Sequence, residues 1–219
     1  RFEEALASYD RALTLRPDYA EVLFSRGSAL HELKRFEEAL ASYDRALTLR
    51  PDFAEALCNR GLTLHELKRY EEALASYDRA LTLRPDYAEA LCNRGFTLHA
   101  LKRFNEATGI CDDLLQRHPG LPGALALKGT IRAEVGDLDN AILFLENAIA
   151  GNARVANWHA DLSGLYQTVY RGADAVRSGR MAVQLNPDSP QFLVNLAMAS
   201  IDVGAVSYTH LTLPTILRV

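Results

Sequence analysis

The sequence is poor in the residues that most often carry chemistry or covalent cross-links: 219 residues hold 3 cysteines, 2 methionines and 1 tryptophan. Three cysteines, Cys58, Cys92 and Cys111, are no disulfide framework, so free thiols and a cytoplasmic location are expected. No apolar run approaches the roughly 20 residues that a bilayer-spanning helix needs, so no membrane partner is expected. Charge of one sign is not in excess, with 24 Lys and Arg against 28 Asp and Glu and a net charge of -4. Without clustered basic residues to neutralise phosphates, nucleic acid is not an expected partner. Low-complexity blocks are missing, and so are the nucleophile elbow, the phosphate loop, the dinucleotide fingerprint and the HExxH zinc motif. The expectation is a chain with no catalytic residues, no cofactor and no metal, and therefore no enzyme activity of its own.

What the chain does have is a period. The stretch Arg35 to Lys68 returns as Arg1 to Lys34 with six differences and as Arg69 to Lys102 with four. Looser copies follow from Arg103, Asp137 and Arg171, so that six periods of 34 residues end at Gly204. A fixed period of this size means stacked copies that share one continuous core, each touching only its neighbours. The array is expected over 1–204, near-identical over 1–102 and divergent over 103–204.

Each period reads as two helices. In the second copy Pro51-Asp52 ends one helix and opens the next, with Asp52 and Glu55 as a capping box, repeated at Asp18 with Glu21 and at Asp86 with Glu89. The first helix, about Ala54 to Leu67, places Leu57, Gly61 and Leu64 on one face. Glycine inside a helix costs roughly 0.5 to 1 kcal/mol against alanine, so Gly27, Gly61, Gly95 and Gly129 predict close approach of a neighbour. The second helix, about Tyr70 to Leu83, interleaves Tyr70, Leu74, Tyr77 and Leu81 with Ala73 and Ala80. Glu71 and Glu72 at its start and Arg84 at its end complement the helix dipole. Pro85 stops it.

A Gly in the first helix, Ala-x3-Tyr-x2-Ala in the second and a closing Pro, here Gly61, Ala73, Tyr77, Ala80 and Pro85, resemble the tetratricopeptide repeat (TPR). The resemblance covers 1–204. It implies an all-α, right-handed superhelical solenoid of antiparallel helix pairs whose first helices line a concave groove that receives peptide or protein segments. Arg26, Arg60 and Arg94 precede the glycines where that family usually has an aliphatic residue, and Ser163 and Gly179 depart from its Gly and Tyr columns. Trp158 reads as a packing anchor.

Variation between the first three copies is concentrated in the first helix, at Phe24/Cys58/Cys92, Ser25/Asn59/Asn93, Ser28/Leu62/Phe96 and Glu32/Glu66/Ala100 among others. A constant face beside a variable one is what a binding surface produces; drift after recent duplication produces the same pattern. Carried over by column, the groove candidates are Phe24, Ser28, His31, Cys58, Asn59, Leu62, His65, Cys92, Asn93, Phe96, His99 and Asn195. The column His31, His65, His99 raises the question of a metal, but packed helices lie about 8 to 10 Å apart and zinc holds each imidazole at about 2 Å. A row of partly exposed polar residues is expected instead. Asn59, Asn93 and Asn195 also match a column whose asparagines form a peptide-contacting ladder in the arm of O-GlcNAc transferases, although Ser25, Leu127 and Asp161 interrupt it.

The resemblance thus implies a protein-binding scaffold or, as the second reading, the substrate-recruiting arm of a larger enzyme such as an O-GlcNAc-transferase-like glycosyltransferase. Arg1 falls partway through a period, so the chain is read as a fragment, and its uncapped ends are expected to associate end to end. The tail 205–219 keeps neither the period nor the helical pattern, and VSYTHLTLPT looks like a translated sequencing adaptor. It is expected to be a sequencing or assembly artefact, with a native edge strand or linker as the alternative.

Overall fold

The computed structural model describes residues 2–202. The tail 205–219 lies outside the described residues. Among them every regular element is an α-helix, twelve in number: α1 (Phe2–Leu15), α2 (Ala20–Glu32), α3 (Phe36–Leu49), α4 (Ala54–Glu66), α5 (Tyr70–Leu83), α6 (Ala88–Ala100), α7 (Phe104–Arg117), α8 (Pro122–Glu134), α9 (Leu138–Gly151), α10 (Ala156–Thr168), α11 (Gly172–Leu185) and α12 (Pro190–Asp202). Even-numbered helices have 13 residues and odd-numbered ones 14, without exception. The constant lengths follow from the constant punctuation of the period.

The described residues form two compact units, which meet in sequence between Pro119 and Gly120. In the first, α2 packs antiparallel on α3 and α4 on α5, and each pair packs on the next. In the second, α8 pairs with α9 and α10 with α11, followed by α12. The core of the first unit is a ladder of Leu40, Leu57, Leu64, Ala73, Tyr77 and Ala80, all buried. Alanine in the second helix lets its partner come close, and the leucines fill the space between.

The glycine column is filled by the facing aromatic. A Cβ placed on Gly61 would lie 2.5 Å from Cε1 of Tyr77, and one on Gly27 would lie 2.6 Å from Cε1 of Tyr43. The neighbour anticipated from the glycine is therefore a ring on the partner helix. The pairing is complementary in size along the chain. Gly129 faces Leu145, and in the next copy the roles invert, with Ser163 opposite Gly179. Ser163 Oγ, fully buried, donates to the carbonyl of Ala175 at 2.8 Å, which satisfies the polar atom that the inversion introduces.

Two expectations about helix ends are corrected. The residues capping α2, α4 and α6 are Tyr19, Phe53 and Tyr87, and none of these helices has a side-chain cap. Asp52 lies one residue too early, in the turn, while Phe53 turns inward to 8% exposure against Phe24, with the Arg50 guanidinium 3.4 Å from its ring. Burial of an aromatic outweighs the roughly 1 kcal/mol of a polar cap. Glu55 is not free to complete a capping box, because it pairs with Arg84 in the turn after the next helix, just as Glu21 pairs with Arg50. Arg84 accordingly serves as a bridge to the preceding helix and a cover for the Tyr87 ring, not as a partner of its own helix dipole.

First helices end on a residue with left-handed backbone: Lys34, Lys68 and Lys102 at φ 58°, 60° and 59°, and Gly136 at 80°. Lys68 N–H returns to the His65 carbonyl and Arg69 N–H to the Leu64 carbonyl, closing the helix with two backbone bonds.

Candidate binding groove

The arrangement of helices makes the even-numbered face the inner one within each unit. In the first unit α2 touches α4 and α4 touches α6; in the second α10 touches both α8 and α12. Among the described residues, neighbouring odd-numbered helices make no such contact with one another. Helices that meet on one side and splay on the other bend each stack toward the even-numbered side.

The structure divides the candidate residues into three groups. Cys58 and Cys92 are core residues, 0% and 7% exposed, so their placement in a groove is corrected. Their column follows Leu57 and Leu91 around the helix and points into the stack. All three cysteines are buried, and burial pushes the Cys58 and Cys92 thiols up to about 12.

A second group serves as polar connectors between successive first helices. Asn59 Nδ2 donates to Ser28 Oγ at 3.3 Å, and Asn93 Nδ2 approaches Cys58 Sγ at 3.8 Å. Ser28 is fully engaged, since it also receives the Tyr43 hydroxyl at 3.3 Å and donates to the Phe24 carbonyl at 3.2 Å. His31 Nδ1 is 2.9 Å from Thr63 Oγ1, and His65 Nδ1 is 2.9 Å from Thr97 Oγ1. Since Thr63 and Thr97 donate to the carbonyls of Asn59 and Asn93, their oxygens are acceptors for the imidazole N–H. Each ring also rests against the aromatic that opens the next helix, Phe36 for His31, Tyr70 for His65 and Phe104 for His99. Burial lowers the His31 and His65 pKa, partly offset for His31 by Glu32 and Glu66 and for His65 by Glu66. The histidine column thus joins copies together, and no group of three or more His, Cys, Asp or Glu side chains suited to a metal exists among the described residues.

The third group is open to solvent in part. Leu62 and Phe96 are half-buried in the column of Ser28, and Glu66, one turn after Leu62, is exposed. Phe24 is half-buried too, with its ring 4.9 Å from Phe53 and 6.1 Å from Tyr43, and borders a cavity of about 430 Å³ with Phe2, Tyr9, Ser25 and Glu32. Asn195, in the second unit, accepts from Gln191 Nε2 at 2.8 Å and borders a cavity of about 310 Å³. That cavity also holds Thr130, Asp161 and Gly164, residues at which the columns of the first three copies change.

The arginines that depart from the usual column are explained by geometry. Arg60 Nε donates to Asp44 at 2.7 Å and Nη1 to Ser76 at 2.6 Å, and Arg26 makes the same pair of bonds to Asp10 and Ser42. One guanidinium fork spans the helix before and the helix after.

Stacked pairs of constant length, with Gly27, Gly61 and Gly129 each set against a large side chain of the partner helix, define a helical-repeat protein. Residues 1–102 are tetratricopeptide repeats: the TPR repeat family model matches residues 1–34, 27–68 and 63–102. Among curated proteins nothing matches. Solved structures share the fold. A tetratricopeptide repeat protein from Parabacteroides merdae is 22% identical with a TM-score of 0.81, over 90% of this chain and 77% of that one. The APC/C hetero-tetramer Cut9-Hcn1 is 15% identical with a TM-score of 0.80, over 92% of this chain, which spans only 40% of its relative's length. YrrB, described as a TPR protein with an unusual peptide-binding site, is 20% identical with a TM-score of 0.53, over 85% of this chain and 96% of that one. A TPR fold is in general that of a protein-interaction scaffold, and no helix among the described residues is long and apolar enough to cross a membrane.

Proposed function

We propose that the even-numbered face of each unit binds extended protein or peptide segments and that the chain acts as a non-catalytic scaffold. The observation that supports this most is the position of Leu62 and Phe96. They vary between copies that are otherwise almost identical, they lie on the face toward which the stack bends, and they keep apolar surface open where their column neighbour Ser28 is closed by three hydrogen bonds. Apolar anchors beside amide and carboxylate groups suit a ligand read through its main chain and a few side chains. The peptide-binding site named for YrrB supports the same reading. The asparagine amides do not form a free ladder, since Asn59 is turned to Ser28 and Asn93 to Cys58.

Random decapeptides displayed on phage and selected on the full chain supply the ligands for a test. The double variant Leu62→Ser with Phe96→Ser, which repeats the residue already present at 28, is expected to weaken their binding about tenfold or more. Selected peptides that bind the still-helical variant as well as the parent place the interaction elsewhere.

The exposed apolar side chains of the two outermost described helices, Phe2 and Leu15 on α1 and Val194, Met198 and Ile201 on α12, support a second association, with another copy of the chain. Sedimentation velocity is expected to show larger species as concentration rises; a single sedimentation coefficient over a hundredfold range counts against it.

A further inference from the structure

The cavity of the second unit differs from its counterparts because of two residues that break their columns. The column of Leu62 and Phe96 continues as Thr130 and then Gly164, and a Cβ added to Gly164 would meet nothing within 4 Å. Loss of the side chain leaves the hollow of about 310 Å³, floored by the buried Leu145 and walled by Ala133, Ala160 and Leu165, with the exposed Glu134 at its edge. Into it faces Asp161, which stands where Asn59 and Asn93 stand in the first unit.

The substitution of Asn by Asp changes the chemistry more than the size. At Asn59 the amide N–H donates to the hydroxyl oxygen 31 residues earlier. The corresponding hydroxyl for Asp161 is Thr130, whose proton goes to the Ala126 carbonyl at 3.0 Å. An ionised carboxylate has no proton to give to Thr130, and Thr130 has none left for it. Asp161 consequently has no hydrogen bond and no ion pair among the described residues, whereas nearby acids such as Asp137 and Asp174 are paired with Arg132, Arg171 and Arg177. Asp161 is an exposed residue at the mouth of the hollow, yet the approach of its carboxyl to the cavity walls raises it to about 6. A carboxylate left without a partner in a partly closed hollow is stabilised by any cation that fills the space.

We propose that the hollow at Asp161 is a subsite for a cationic side chain, arginine or lysine, carried by an extended segment lying along α8, α10 and α12. The aliphatic stem packs on Leu145, Ala160 and Leu165, the charged head meets Asp161, and Asn195 offers its remaining amide capacity to the segment's main chain. The first unit, with Asn59 and Asn93 in the same column and Leu62 and Phe96 filling the hollow, has no such preference. This deepens the groove reading and rests on it.

The probes are acetyl-Gly-Ser-Arg-Ser-Gly-amide and the same peptide with citrulline, which keeps the shape of arginine and removes its charge. Each is titrated into the full 15N-labelled chain. Amide signals of Asp161, Gly164 and Leu165 are expected to move, with the arginine peptide bound about fivefold more tightly than the citrulline peptide. Asp161→Asn, which restores the residue of the first unit, is expected to bring the two peptides to equal affinity, and Gly164→Leu, which fills the hollow, to abolish both responses. Equal binding of both peptides to the parent chain overturns the cationic subsite and leaves the groove intact. Failure of either peptide to perturb any even-numbered helix overturns the subsite and the groove reading together.

Discussion

Arg60 and Asp44 lie 16 residues apart in sequence and 2.7 Å apart in space, and the same relationship recurs between Arg26 and Asp10 at 2.7 Å and between Arg94 and Asp78 at 2.8 Å. Only Arg26 and Arg60 also reach a serine on the following helix, because the position facing Arg94 is Ile110. A partly buried guanidinium with two bonds is worth more than one with a single bond to an exposed carboxylate. Arg60→Ala is expected to lower stability by about 1 to 2 kcal/mol, and Arg94→Ala by about 1 kcal/mol less. Urea denaturation followed by circular dichroism measures both, and equal losses contradict the role given to Ser76.

Gly61→Ala is expected to destabilise by about 1 to 3 kcal/mol, since the new methyl enters the Tyr77 ring, which is 0% exposed and held by the surrounding core. Tyr77→Leu creates the combination found naturally at Gly129 and Leu145. In the Tyr77→Leu background the added methyl should cost less than in the parent. A cycle in which the two losses simply add shows that the ring is not what excludes the methyl.

His31 and His65 bring a pH dependence of defined sign. Their folded-state pKa is lowered chiefly by burial, so the folded protein binds fewer protons than the unfolded chain. Stability is complete above the ordinary value of 6.5 and falls as pH drops below it, because protonation favours the unfolded chain. Asp161 works in the opposite sense, its raised carboxyl relieving a destabilisation as pH falls through about 6. Melting temperatures measured from about pH 8 to pH 5 in the Asp161→Asn background isolate the histidine contribution, which His31→Gln with His65→Gln should remove. A slope unchanged by the double substitution assigns it to other groups.

Lys68 occupies a left-handed backbone conformation at φ 60°, which costs an ordinary residue about 1 to 2 kcal/mol and glycine almost nothing. After allowing for the extra freedom of glycine in the unfolded chain, Lys68→Gly should stabilise by about 0.5 to 1 kcal/mol. The native Gly136 shows that the position accepts it. A fall in the urea midpoint would mean that the lysine side chain contributes more than its backbone costs.

Much of the architecture is legible in the chain itself. The period sets the number of helices in the described residues, and the boundaries of α4 and α5 fall within a residue of those expected. The glycine column implies a tight contact, and the contact is there, although the size exchange between Ser163 and Gly179 becomes sensible only when the two positions are seen to touch. The helix caps are misread from sequence because a proline-aspartate turn suggests polar capping, whereas the aromatic that follows takes the cap position, and at α4 Phe53 gains more from burial. The groove is harder to read. Periodicity says which residues share a face, but it does not say that Cys58 points into the stack, that Ser28 is saturated or that His31 reaches the next copy. Asp161 and Gly164 are visible as breaks in two columns, and only their meeting around one hollow gives them a shared meaning.

The bonds between copies join fixed offsets: 16 residues from Arg60 forward to Ser76, 31 from Asn59 back to Ser28 and 32 from His31 forward to Thr63. An additional 34-residue unit duplicated within 35–102 would therefore meet a compatible neighbour on each side, and a deleted one would leave no unmatched junction. Length in this part of the chain is a quantity that recombination can change in whole steps while the fold of every remaining unit is preserved.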